Sequence, residues 1–202
     1  MIKTEQNFYT AVENRRSVYG ISNEVVVSEE RVEEVVAHAL KYAPSAFNSQ
    51  SGRVVILFGE NHDKLWNITE AALKEIVPAE NFQPTAEKME SFRNGFGTVL
   101  FFEDQSIVKG LQEQFPSYAD KFPEYALQSS GMLQYIIWTS LEVEGFGASL
   151  QHYQPIIDEA VEKIWNIPSD WKLIAQMPFG KPMAIPAEKQ KQPLEERMKV
   201  FK

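Results

Sequence analysis

Val32, Val35, Val36, Ala39, Leu40 and Ala43 recur at helical spacing, which predicts an amphipathic helix from Ser28 to Ala43. Ser28 suits its N-cap, and Pro44 ends it, because proline disfavours helical geometry in the residue before it. The run Arg53 to Phe58 is too apolar and β-branched for anything but a buried strand. Around this pair the pattern predicts further elements. Residues 4–14 form a first helix with Phe8, Ala11 and Val12 inward. Asn61 to Ile76 is a helix capped by Asn61, with Leu65, Ile68, Ala72 and Ile76 on one face. Pro78 to Pro84 is a loop, and Thr85 to Phe96 a helix with Met89, Phe92 and Phe96 inward. Thr98 to Glu103 is a second buried strand and Ser106 to Phe115 another helix.

Tyr125 to Glu144 is the longest periodic run. Leu127, Gly131, Tyr135, Trp138 and Leu141 keep the helical spacing, while Met132, Leu133, Ile136 and Ile137 cover the rest of its circumference. A helix apolar nearly all round is buried on most sides. Either it is the core helix of a monomer or it also meets a second subunit. Gly145 closes it as a C-cap. Pro155 to Trp165 is a last helix, Trp171 to Met177 a third strand, and Pro178 to Pro182 a closing turn. The polar residues from Met183 onward are expected to form an arm on a single domain spanning residues 1–202.

Composition narrows the chemistry. The chain has no cysteine, which excludes disulfides, thiol catalysis and cysteine metal sites. Its three histidines, His38, His62 and His152, lack zinc-motif spacing, so no metal is expected. The net charge is −8 without a basic run, a poor match for nucleic acid or an anionic membrane. No stretch approaches the roughly 20 apolar residues of a membrane span, and MIKTEQNFYT has no signal-peptide pattern. A soluble cytoplasmic protein is expected.

Four segments carry candidate chemistry. Arg15, Arg16 and Ser17 follow the first helix, and guanidinium groups make forked, charge-assisted bonds to phosphate oxygens. A solvated surface pair fits the same residues. Pro44, Ser45, Ala46, Phe47, Asn48, Ser49 and Gln50 lie between a helix end and a core strand. Their hydroxyls and amides suit a flat ligand with a hydrogen-bonding edge, or a plain loop. Gly145 to Leu150 lets backbone approach a ligand closely but is not a dinucleotide fingerprint. In the turn Phe179-Gly180-Lys181, the lysine is free to face an anion.

In this order the four segments resemble the flavin-dependent nitroreductase family over nearly the whole chain. The similarity is greatest to a bacterial and fungal subgroup typified by the yeast fatty-acid repression mutant protein, through APSAFNSQ and MPFGKP. Other members carry an aromatic residue where Ser51-Gly52 stands here. The resemblance implies an α+β fold with a mixed central sheet between helices, in an intertwined homodimer with a C-terminal arm at 183–202. It implies FMN at the dimer interface. Arg15, Arg16 and Ser17 would hold its phosphate and ribityl chain, and Arg197 would join the phosphate. Asn48 and Gln50 would bond the ring edge and ribityl hydroxyls. Pro44, Ser45, Ala46 and Phe47 would approach from the partner chain, with Leu150, Gln151, Phe179, Gly180 and Lys181 flanking the other side. NADH or NADPH would donate hydride, and a nitroaromatic or quinone-like acceptor would receive it by a ping-pong mechanism. No protein side chain is needed as general acid. A flavin-dependent dehydrogenase or oxidase, or a flavin- or lipid-binding regulator, are the alternatives.

Overall fold

The computed structural model describes residues 7–184 and 186–202. Ser28 caps α2 (Glu29–Tyr42) as the sequence predicts, its hydroxyl accepting from the Arg31 amide. Val32, Val35, Val36 and Ala39 are its buried stripe. The other helices are α1 (Phe8–Asn14), α3 (Gly59–Lys74), α4 (Gln83–Arg93), α5 (Gln105–Gln114), α6 (Phe122–Val143) and α7 (Asp158–Trp165). The strands are β1 (Ile21–Ser22), β2 (Gly52–Phe58), β3 (Gly97–Asp104), β4 (Gly147–Ala148) and β5 (Trp171–Pro182). The fold is α+β, with strand order β1-β5-β3-β2 and β4 also paired to β5.

The alternation of β3 explains why its sequence reads as one continuous apolar run. Every position of β3 is buried. Val99 and Phe101 face a core with Val32 and Val36 of α2 and Leu133, Ile137 and Leu141 of α6. Leu100 and Phe102 face a second core with Leu65 and Trp66 of α3, Met89 and Phe92 of α4, and Val161 of α7. The sheet is thus covered on both faces, so neither side of the strand needs polar residues.

Every strand pair is antiparallel. The mixture of directions that the resemblance implies reduces to one parallel bridge, between Ser17 and Ala148. The cause is the connection: α3 and α4 pack together and return the chain to the end of the sheet it left, so Phe58 faces Gly97.

Several local expectations are corrected. The first turn expected at residues 4–6 lies outside the described residues. In α1 only Ala11 is buried, and Phe8 is 69% exposed. Asn61 is not a cap; α3 begins two residues earlier at Gly59, whose φ is +51°, and Asn61 accepts from the Trp165 indole instead. The chain between Pro78 and Pro84 contains a short 3-10 turn, and α4 already begins at Gln83. Gly145 follows α6 at φ +94°, the conformation expected of a glycine ending a helix. The helix placed at Pro155 starts at Asp158.

The largest correction is at the end of β5. Pro178 to Pro182 is strand, not turn. Pro178 accepts from the Ser149 amide, so its missing N–H also points to the β4 side, beyond the end of that strand. No hydrogen bond to β3 is lost, which is how a proline is tolerated inside a sheet.

His62 sits in a polar network inside the second core. Trp66 Nε1 donates to Thr98 Oγ1 at 3.0 Å, and Thr98 Oγ1 lies 2.8 Å from His62 Nδ1. His62 Nε2 lies 3.2 Å from the Arg93 carbonyl. The assignment that satisfies every group makes Nε2 the protonated nitrogen and Thr98 the donor to Nδ1. Burial pulls the imidazole below its ordinary value. The unfolded chain therefore binds the extra proton first, below about pH 6.5. Stability should fall as pH drops through that point, with this residue adding a slope of up to about 1.4 kcal/mol per pH unit. Urea unfolding at pH 7.5 and 5.5 should show a smaller difference in His62→Gln than in the wild type; an equal difference would place the acid sensitivity elsewhere.

No described helix is long and apolar enough to cross a membrane. The segment from residue 186 to 202 is mostly exposed, with one short turn at Leu194–Glu196.

Candidate functional site

Arg15 is the residue at which α1 stops. Its backbone N–H still bonds to Ala11, but its ψ has left the helical range. The side chain is thereby turned onto α6, where its guanidinium lies 4.4 Å from the Trp138 ring. Its Nε is buried without a partner. Arg16 donates from Nη2 to the Ala187 carbonyl at 2.6 Å. Ser17 forms the parallel bridge to Ala148, and the Val18 amide bonds the Ala148 carbonyl at 2.9 Å. The two arginines and the serine are therefore fixed beside β4. A cavity of ≈390 Å³ opens next to them, lined in part by Arg16, Trp138, Glu142, Gly147 and Met183. Glu142 has one oxygen without a partner, and burial raises its carboxyl above the ordinary range.

The loop after α2 is held by its own side chains. Ser45 Oγ accepts from the Gln50 amide at 2.9 Å. Ser129 Oγ, on α6, accepts from the Ala46 amide at 3.2 Å and donates to the Tyr125 carbonyl at 2.8 Å. Arg53 donates to the Gln50 carbonyl at 2.7 Å and to Asp104 at 3.0 Å. Within this frame Phe47, Asn48 and Gln50 all take positive φ, at 56°, 50° and 49°. Each costs on the order of 1 kcal/mol in a residue with a Cβ, and such strain concentrates at functional sites. The strain leaves the Asn48 and Gln50 side chains exposed, with their amides free of protein partners among the described residues. Phe47, half exposed, sets its ring at a tilt to Phe115 and edge-on to Phe122, with centroids 5.1 and 5.2 Å away.

Below the loop is a small cavity of ≈50 Å³, lined by Pro44, Ser45, Gln50, Gly52, Glu103 and Ser129 among others. Glu103 is 1% exposed, and neither of its oxygens has a hydrogen-bond partner. Burial pushes its carboxyl above the ordinary range, against the opposing pull of the Ser51 hydroxyl and Arg53.

The remaining predicted residues are more scattered. Leu150 is half-buried, and Gln151 is buried, bridged to Gln176 and donating to Ser149 Oγ at 3.0 Å. Phe179 does not present its ring to a site: it lies in the first core against Phe58, Phe96 and Phe146. Gly180 passes so close to Ser22 that a Cβ would collide with the Ser22 carbonyl. Lys181 is half-buried and paired with Glu24. Arg197 is exposed in the C-terminal segment and, among the described residues, bonds only through its backbone to Leu194.

Within one chain these groups form two half-sites on one helix. Trp138 lies under the arginines and Ser129 under the strained loop; nine residues of helix separate them by about 13 Å. Trp138, Ser129 and Glu103 escape sequence reasoning, because an aromatic or a serine on an apolar helix, or a glutamate closing a strand, reads as ordinary structure.

The nitroreductase family model matches residues 12–181. The nitroreductase FRM2 of Saccharomyces cerevisiae is 36% identical over 189 residues, covering 91% of this chain and 92% of the yeast protein. The nitroreductase CinD of Lactococcus lactis, solved with chloramphenicol and with 4-nitrophenol, is 45% identical. Its structure superposes with a TM-score of 0.89 over 97% of this chain and 100% of that one. An FMN-bound protein of Exiguobacterium sibiricum shares the fold at 14% identity, with a TM-score of 0.73 and full coverage of both chains.

Proposed function

Because the chain belongs to the nitroreductase family and is an oxidoreductase on that ground, we propose that it is an FMN-dependent enzyme. NADH or NADPH supplies the electrons, and a nitroaromatic or quinone-like compound receives them. The observation that carries the reading is the pair of incomplete half-sites on α6: cations with an unpartnered buried donor at one, free amides on a strained loop at the other.

The residues present fit FMN. Arg15 brings a buried Nε with no partner, as an anion-holding arginine does before its anion arrives. With Arg16 and Ser17 it would hold the phosphate and ribityl chain, and Arg197 would join the phosphate. Asn48 and Gln50 offer amides to the ring edge and the ribityl hydroxyls. When bound, FMN supplies the two-electron chemistry itself. The chain binds, orients and polarises it, and amide donors at the ring edge favour negative charge there. Leu150, Gln151 and the backbone of residues 179–181 flank the opposite side, the side chain of Phe179 being committed to the core.

A homodimer completes each site. The distance between the two half-sites supports this, since one chain does not bring them together. So does the apolar surface left open by Leu127, Met132 and Tyr135 on α6 and by Phe8 and Tyr9 on α1. In this reading Pro44, Ser45, Ala46 and Phe47 approach the cofactor of the partner chain, and residues 183–202 serve as the arm of a single domain. The nitroaromatic ligands of the Lactococcus relative, chloramphenicol and 4-nitrophenol, support the acceptor class.

The test is one preparation. Purified protein should be yellow and scatter light as a particle of roughly twice 23.1 kDa. Anaerobic NADH or NADPH should bleach it, and 4-nitrophenol or a quinone should restore the colour. Donor and acceptor use one pocket in turn, so double-reciprocal plots should be parallel. If neither nicotinamide bleaches a yellow protein, the dehydrogenase or regulator reading replaces this one. Colourless protein that takes up no added FMN overturns both.

A further inference from the structure

We propose that Glu103 is an internal proton donor, which releases its carboxyl proton through water in the cavity beneath the strained loop to the Ser45 hydroxyl and so to the acceptor. This rests on the reading of the chain as a flavin-dependent oxidoreductase. It adds a proton source that the resemblance does not provide.

A buried carboxyl with two unpartnered oxygens is rare, because leaving such a group unsatisfied is costly. Glu103, the last residue but one of β3, faces across to Gly52, where a Cβ would come within 3.9 Å of its Oε1 and 3.0 Å of Leu133. Glycine at 52 therefore helps keep the cavity open. The space holds a water or two and has the polar groups to bind them.

The hydroxyls around it are not equivalent. Ser129 already donates its proton to Tyr125 and accepts from Ala46. Ser45 accepts from the Gln50 amide and keeps its proton free. Ser51 also acts on Glu103, and its hydroxyl lies 3.4 Å from that of Ser49. Of the two hydroxyls that line the cavity, Ser45 is the one with its proton uncommitted, and it belongs to a residue proposed to face the cofactor.

The surroundings on balance weigh against ionisation of the acid. On β2, Arg53 pairs with Phe102 and so lies on the other face of the sheet, over Trp171, where it is committed to Asp104 and to the carbonyls of Gln50 and Gly52. Asp104, beside Glu103 on β3, opposes its ionisation, and Ser51 favours it. Lys172, its strand partner on β5, is exposed. Leu40 of α2, Ala43 at its C-cap, and Ser129 and Leu133 of α6 also line the cavity.

The chemistry balances. Reduction of a quinone takes two electrons and two protons; one proton travels with the electron pair as hydride. The second comes from the Ser45 hydroxyl, which regains one through the cavity water from Glu103. The carboxylate left behind is reprotonated from solvent at the cavity mouth.

Glu103→Gln keeps the shape and neutral polarity of the acid but has no proton to give. In the dimeric holoprotein it should leave bleaching by NADH or NADPH unchanged. Reoxidation by a quinone should slow by about a hundredfold, the usual worth of a positioned acid. The pH dependence of that step should flatten. Wild type minus variant infrared spectra at pH 7 should show the carbonyl band of one protonated carboxylic acid. Ser45→Ala should slow the same step. Absence of the infrared band, or reoxidation of Glu103→Gln at the wild-type rate and with the wild-type pH profile, overturns the assignment. If Glu103→Gln does not fold, Glu103→Asp takes its place: it keeps the acid but withdraws it by a methylene, and should keep the pH profile while slowing reoxidation. A wild-type rate in that variant also overturns the assignment. A wild-type protein that NADH and NADPH cannot reduce sinks the function proposed above, and this inference with it.

Discussion

Arg15→Ala should fold as the wild type does and come off the column without FMN. The side chain makes no hydrogen bond within the described chain, and α1 ends through its backbone N–H, not its guanidinium. What the folded protein loses is the stacking on Trp138, worth about 0.5–2 kcal/mol. The proposed phosphate loses much more. Removing one partner of a desolvated charge pair costs on the order of 2–5 kcal/mol, which is roughly thirtyfold to several thousandfold in affinity. Flavin absorbance after dialysis, followed by titration with FMN, measures it directly. Thermal unfolding of the apoproteins provides the control. Full occupancy and an unchanged titration would remove Arg15 from the phosphate site. Arg197→Ala should also weaken FMN binding, provided the C-terminal segment reaches the site of a partner.

Phe179→Ala should do the opposite, losing stability while the protein that remains folded still binds FMN. The ring is wholly buried among Phe58, Phe96 and Phe146, between the central strands and α6. Truncating a buried phenylalanine costs about 3–5 kcal/mol, through lost burial and the cavity left behind. For a domain of this size that is a fall in Tm on the order of 10 °C. Melting the two proteins at one concentration, each saturated with FMN, checks the prediction. A variant with wild-type stability and lost FMN would put the ring against the cofactor after all.

These two residues also mark how far the sequence could be read. Arg15 was legible because two guanidinium groups and a hydroxyl at a helix end have a chemistry that does not depend on the rest of the fold. Phe179 was read as part of a turn because two prolines flank it, and sequence does not tell which neighbour a missing N–H faces. The helix from Ser28 was legible to within a residue because its cap and its spacing agree. β1 and β4 were not, since two residues cannot show a period. Phe8 was misread because an apolar residue at helical spacing looks the same whether it meets its own core or is left open on a single chain. Glu103 was passed over for a related reason. A charged residue closing an apolar run looks like the point where a strand meets water, and only the helices packed over it show otherwise. The separation of the half-sites along α6 was beyond any local signal.

β5 holds the sheet together, and its position in the chain governs when the sheet can form. It pairs with β3, β4 and β1, and bridges Gln151 through Gln176. Before β5 is made, β2 and β3 can pair only with each other, and β3, apolar from Val99 to Phe102, presents an open edge. That edge waits through the synthesis of α5, α6, β4 and α7. Closing it joins residues far apart in sequence, Ile21 with Pro182 at the extreme, and such long-range closure makes folding slow. An unpaired apolar strand edge is also a template for the wrong partner. The nascent chain is therefore most prone to aggregate after β3 has emerged and before β5 has, and a chaperone that shields apolar strands would matter most in that interval.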